Sequence, residues 1–116
     1  MYAPAWEPGW VDGPWAAYRR VNDAFAAAVA EDAPEGAVVA IQDYHLCLVA
    51  PTLRRVRPDL RLVHFSHTPF APAPWLRMLP AEVASELLGA LAAHHACGFH
   101  SARWEQDYLD SVSYTH

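Results

Sequence analysis

Three short stretches of this 116-residue chain concentrate side chains able to hold a polar ligand: Gln42-Asp43-Tyr44-His45, Ser66-His67-Thr68-Pro69 and His100-Ser101. A carboxylate, a phenol and an imidazole in succession suit the gripping of several sugar hydroxyls, because each hydroxyl both donates and accepts hydrogen bonds. Each residue also has a plainer reading. Asp43 can cap a following helix, His45 can be a core histidine bonded to a backbone carbonyl, and Tyr44 can be packing with its hydroxyl at the surface. For His67 the plain reading is a loop-structuring histidine before Thr-Pro. A ligand role leads there, because a polar residue directly after a buried strand end needs a partner.

Other chemistries find less support. The chain has seven histidines, yet His64 and His67 fall on opposite faces of one strand. His94 and His95 are neighbours expected at the solvated end of a helix, and no cysteine lies at a structural zinc spacing from any histidine. No metal and no cofactor is therefore expected. Cys47 sits in an apolar helix start and Cys97 inside a strand, neither in a setting that makes a reactive thiolate. All eight basic residues are arginines, which excludes a Schiff-base or P-loop lysine within the chain. Among the tryptophans, Trp75 in a proline-rich loop is the best placed for a surface contact, and Trp15 reads as core.

The elements that must position these groups follow from periodicity. Pro14 suits a first helical turn capped by Asp12 or Gly13. Trp15, Tyr18, Val21, Asn22, Phe25 and Val29 then recur at helical steps over about 14–31. Ala37–Ile41 reads as a strand buried on both faces of a parallel sheet. A helix over 46–57, with Pro51 in its first turn, ends in arginines that suit its dipole. A second strand covers 60–65, a helix opened by Pro80 covers 81–93, a brief strand covers 96–99, and Ser101 can cap a last helix. Strands alternating with helices predict right-handed crossovers and a parallel, doubly wound sheet. The three polar stretches each follow a strand, which is the edge where such sheets bind ligands.

Composition bounds the rest. With 53% hydrophobic and 18% charged residues and a formal net charge of −5, the chain is globular, and about two-thirds of its surface can be buried in one core. No apolar run is long enough to span a bilayer, no secretory signal opens the chain, and the mild acidity argues against a nucleic-acid partner. Two isolated thiols fit a reducing cytoplasm.

Trp15-x-x-Tyr18-x-x-Val21-Asn22-x-x-Phe25-Ala26, Gln42-Asp43-Tyr44-His45-Leu46, Phe65-Ser66-His67-Thr68-Pro69-Phe70, Leu79-Pro80 and Gly98-Phe99-His100 stand in the order and spacing of trehalose-6-phosphate synthases. The chain resembles that family over about residues 14–110. It most resembles the actinobacterial branch, which includes pseudo-glycosyltransferases joining a cyclitol nucleotide to an aminocyclitol phosphate. The resemblance implies an α/β fold: a partial Rossmann-like parallel sheet with flanking helices, part of the N-terminal domain of a GT-B glycosyltransferase. Residues 1–116 would be an incomplete, acceptor-side domain, with the nucleotide-sugar domain absent.

The implied reaction is metal-free and retaining, moving glucose from UDP- or GDP-glucose to glucose 6-phosphate by front-face departure of the nucleotide. The residues matching Asp43 and Tyr44 contact the acceptor, and the one matching His67 lies at the donor sugar near the bond exchanged. The small-molecule donor and acceptor are the implied partners, with a homo-oligomer of the complete enzyme as a further possible one. The family's glycine-rich loop and its diphosphate-binding Arg and Lys are not among these residues, which implies that the isolated chain is inert. Ala71 stands where the family usually has Pro, and His95 where it has Asp. The alternatives are a pseudo-glycosyltransferase and a non-catalytic sugar-phosphate-binding remnant.

Overall fold

The computed structural model describes residues 11–67 and 79–115. A π-type turn over Val11–Trp15 leads into α1 (Ala16–Asp32). There follow β1 (Val38–Gln42), α2 (Val49–Val56), β2 (Arg61–Ser66), α3 (Ala81–Ala92), β3 (Ala96–Phe99) and α4 (Ala102–Thr115). The order is the one periodicity predicts. Two starts differ. Pro14 lies in the π-type turn, and neither Asp12 nor Gly13 caps α1, whose first residue follows Trp15 without a side-chain cap. Helix α2 begins at Val49, with Pro51 in its first turn, because residues 43–48 form turns.

The three strands are parallel in the order β1-β2-β3, with Val38 opposite Arg61 and Val63 opposite Ala96. The register is set beneath the strands. Gly36 takes the left-handed conformation (φ 71°), open to glycine without cost, and its N–H donates to Asp59 Oδ2 at 2.9 Å. The turn before β1 is thereby tied to the turn before β2. The same carboxylate pairs with Arg57, and that hydrogen bond, followed by the one from Gly36, holds Asp59 well below the usual carboxylate range.

Helices cover one face of this sheet. Ile41 and Leu62 are buried with Ala26 of α1 and Val49, Ala50 and Leu53 of α2, while Phe99 packs with Leu88, Leu91 and Tyr108 of α3 and α4. The other face carries Val38, Ala40, Gln42 and Arg61, all exposed, with Val38 at 68%. The expectation that the first strand is buried on both faces is corrected here. A strand order without a reversal sends both crossovers in one direction, and right-handed crossovers then lie on the same side. Double winding needs a reversal, and these strands contain none.

Helix α1 also departs from its predicted stripe. Trp15, Asn22 and Ala26 are buried, whereas Val21 and Phe25 are about half exposed. The small Ala26 lets α1 approach α2 closely, which rotates the larger residues outward. The helix-terminal arginine of α2 serves a neighbour: Arg57 Nη1 donates to the carbonyls of Ala30 and Ala33 at the end of α1, groups that have no partner within the helix. Arg54 does the same for Ala93, after α3.

Candidate functional site

Helix α1 shapes the loop that follows β1. Tyr18 Oη donates to the Tyr44 carbonyl at 2.7 Å and accepts from the Cys47 N–H at 3.1 Å. One helical turn on, Asn22 Oδ1 accepts from the Leu48 N–H at 2.9 Å and its Nδ2 donates to the Tyr18 carbonyl. Asn22 thus reaches from a neighbouring helix to satisfy the N–H of Leu48, the residue at the N-cap of α2, where no side-chain cap is made locally. Asp43 does not cap α2. Burial raises the Tyr18 hydroxyl pKa and pushes the Cys47 thiol up to about 11, so both keep their protons and act as hydrogen-bonding groups.

Held at both ends, the loop places Asp43 in the left-handed region (φ 59°), which Asp tolerates better than most residues. Its N–H donates to the Phe65 carbonyl at 2.8 Å, extending the β1–β2 ladder by one bond. Its Oδ1 accepts from the His67 N–H at 3.3 Å. The carboxylate therefore bridges from the end of β1 to the end of β2.

His67 lies on the open side of the sheet, over Phe65, with ring centroids 4.8 Å apart. Its Nε2 bonds Gln42 Oε1, and its Nδ1 lies 3.2 Å from His100 Nε2. His100 meets Phe65 edge-on at 5.0 Å and Trp104 edge-on at 6.1 Å. Trp104 is in turn fixed by its N–H donating to Ser101 Oγ, the cap predicted for α4. The last residue of β1 and the residues following β2 and β3 thus meet at one point. Asp43 and His67 fall within this group. Gln42 and His100 join it as the extra members, and the signal for both was their place directly at strand ends.

Tyr44 stands beside the group without bonding to it. The residue is 59% exposed and its ring stacks on His45 at 4.2 Å, with the His45 carbonyl accepting from Asn22. Two expectations for histidines separate. His95 is exposed and pairs with β2 through its N–H and Nδ1 at Leu62. His94, expected in solvent, is buried at 6%. Its Nδ1 donates to the Leu91 carbonyl and its ring sits 5.1 Å from that of His64. Trp75, Ala71 and the prolines of the loop lie outside the described residues.

Away from this group, a concavity of about 320 Å³ opens between α1, α2 and α3, but its Arg19 is already engaged by both oxygens of Glu86. Among the described residues, no group of three or more His, Cys, Asp or Glu is placed to hold a metal ion. No helix among them is long and apolar enough to cross a membrane.

Comparison with known proteins gives this geometry a context. The chain is 42% identical over 97 residues to the trehalose-6-phosphate synthase of Mycolicibacterium gilvum, covering 82% of this chain and 18% of that protein. It is 37% identical over 108 residues to the glucosylglycerol-phosphate synthase of Pseudomonas anguilliseptica, covering 92% of this chain and 14% of that one. The chain spans less than a fifth of either relative. The E. coli trehalose-6-phosphate structure bound with UDP-2-fluoro glucose superimposes with a TM-score of 0.79 at 29% identity, over 86% of this chain and 22% of the other. The profile of glycosyltransferase family 20 matches residues 2–115, and the chain belongs to that family.

Proposed function

We propose that this chain is the acceptor-side part of a two-domain family-20 glycosyltransferase, and that the strand-end group holds the sugars between which glucose is transferred. The reading gives the 116 residues as an incomplete N-terminal Rossmann-like domain, with the nucleotide-sugar domain outside them. Its support is the convergence of Gln42, Asp43, His67 and His100 at the carboxyl edge of the sheet, where open parallel sheets bind ligands.

In this reading Asp43 accepts hydrogen bonds from hydroxyls of a sugar-phosphate acceptor, and Tyr44, exposed beside it, offers its phenol to the same ligand. His67 reaches the donor sugar and is the catalytic residue of the chain, donating a hydrogen bond near the bond exchanged. The donor is UDP- or GDP-glucose and the acceptor glucose 6-phosphate; similar structures bound with UDP-2-fluoro glucose and in complex with glucose-6-phosphate support the UDP form and the acceptor. No metal or cofactor takes part. The setting is the reducing cytoplasm, which the two free cysteines support.

The glucosylglycerol-phosphate synthase that matches 92% of the chain favours a second reading, in which a glycerol phosphate is the acceptor. Calorimetric titration of the chain with glucose 6-phosphate and with glycerol 3-phosphate separates the two. Tighter binding of the hexose phosphate supports the first, the reverse order supports the second, and no heat from either sinks the acceptor role. Incubation of the chain with nucleotide glucose and either acceptor is expected to give no product.

A further inference from the structure

We propose that His100 is a positioning residue that sets the tautomer of His67, so that the Nε2 of His67 carries its proton and faces the sugar site as a donor. The proposal rests on the reading above for the identity of the ligand, but the hydrogen bonds that carry it stand by themselves.

One atom fixes the direction of these bonds. Gln42 Oε1 is a carbonyl oxygen and only accepts, so His67 Nε2, which bonds it, is the N–H. In a neutral imidazole the other nitrogen then has a lone pair. His67 Nδ1 is that nitrogen, and the His100 Nε2 beside it at 3.2 Å must donate. The chain of bonds therefore runs one way, from His100 to His67 to Gln42.

The rings are held for this direction. Phe65 lies against both imidazoles, at 4.8 Å from His67 and 5.0 Å from His100, and Trp104 meets His100 edge-on. Turning the His67 ring over would lose the bond at each nitrogen, and the backbone of His67 is pinned separately by Asp43 Oδ1. A donor N–H suits an approaching hydroxyl oxygen, which would replace Gln42 Oε1 as the acceptor of that bond. His100 touches no ligand in this account and acts through His67 alone.

The test reads protons, not turnover. A two-bond proton–nitrogen correlation spectrum of the histidine side chains in the full 116-residue chain assigns the tautomer of His67. One tautomer, protonated at Nε2, is expected. His100→Phe keeps the ring contacts and removes the donor, and should shift the tautomer ratio by about fivefold, on the order of one net hydrogen bond. His100→Gln, which restores an N–H donor, should recover the original spectrum. A wild-type His67 protonated at Nδ1 overturns the proposal without any variant, and so does an unchanged ratio in His100→Phe. Failure of the chain to bind a sugar phosphate would remove the functional reading and leave the tautomer result standing.

Discussion

The ring of Phe65 occupies the space that a side chain at residue 98 would need. A Cβ built on Gly98 would lie 2.5 Å from Phe65 Cδ2 and 2.8 Å from Cε2. Glycine at this point of β3 therefore lets the ring lie flat across the open face, where it carries the imidazoles of His67 and His100.

Gly98→Ala follows directly. A glycine with ordinary backbone angles usually gains about 0.4–1 kcal/mol of stability on replacement by alanine. Here the collision with Phe65 should reverse the sign, to a loss of about 1–3 kcal/mol, as overpacking costs. Urea denaturation checks this. Phe65→Leu should relieve the collision, so the double variant should lose less than the sum of the singles. A stabilised Gly98→Ala would contradict the account.

Asn22→Ala is expected to destabilise by about 1–3 kcal/mol, because it leaves the Leu48 N–H buried without a partner. Tyr18→Phe removes the bonds to Tyr44 and Cys47. Its signature should be faster amide exchange across 44–48 with α1 intact. Unaltered exchange there would show that the loop is held by other contacts.

Acid should weaken the fold before the carboxylates titrate. Burial, followed by the neighbouring charge of His94, pushes His64 down from 6.5 to about 4, with Asp43 pulling the other way. Burial likewise lowers His94. Neither His64 Nδ1 nor His94 Nε2 has a partner among the described residues. The unfolded chain therefore binds these protons first. Stability is complete above about pH 6.5 and falls as pH drops towards 4. Glu86 and Asp59, both lowered, contribute their losses only below the ordinary carboxylate range. Denaturation midpoints that stay flat between pH 6.5 and 5 would refute the burial of the pair.

Much of this arrangement was legible in the chain. Among the described residues, apolar periodicity located the four α-helices and short apolar runs the three strands, while the π-type turn over Val11–Trp15 left no such mark. The strand ends then pointed to Asp43 and His67. What stayed hidden depends on distant neighbours. Asn22 reads as one more position on an amphipathic helix until Leu48, 26 residues on, is seen to need an acceptor. His94 reads as solvated because the turn that buries it against His64 leaves no periodic mark. Gly98 did carry a signal, since a glycine inside a strand marks close approach of another group, but the identity of that group is a matter of register: Phe65 lies opposite it.

Asp43 permits a graded test of backbone and carboxylate. Asn tolerates the left-handed conformation, so Asp43→Asn should leave stability within about 1 kcal/mol and remove the charge. Asp43→Ala should lose stability, having neither the side-chain bond to His67 nor a tolerance for positive φ. Equal stability of the two variants would argue against the strained turn.

The central claim, that the strand-end group holds a sugar phosphate, is tested most directly by following backbone amides of the 116-residue chain during titration with glucose 6-phosphate. The account predicts saturable shifts at residues 42–45, 67 and 98–101, abolished by Asp43→Asn. Shifts confined to the cleft around Arg19 and Glu86, or none at saturating ligand, would contradict it.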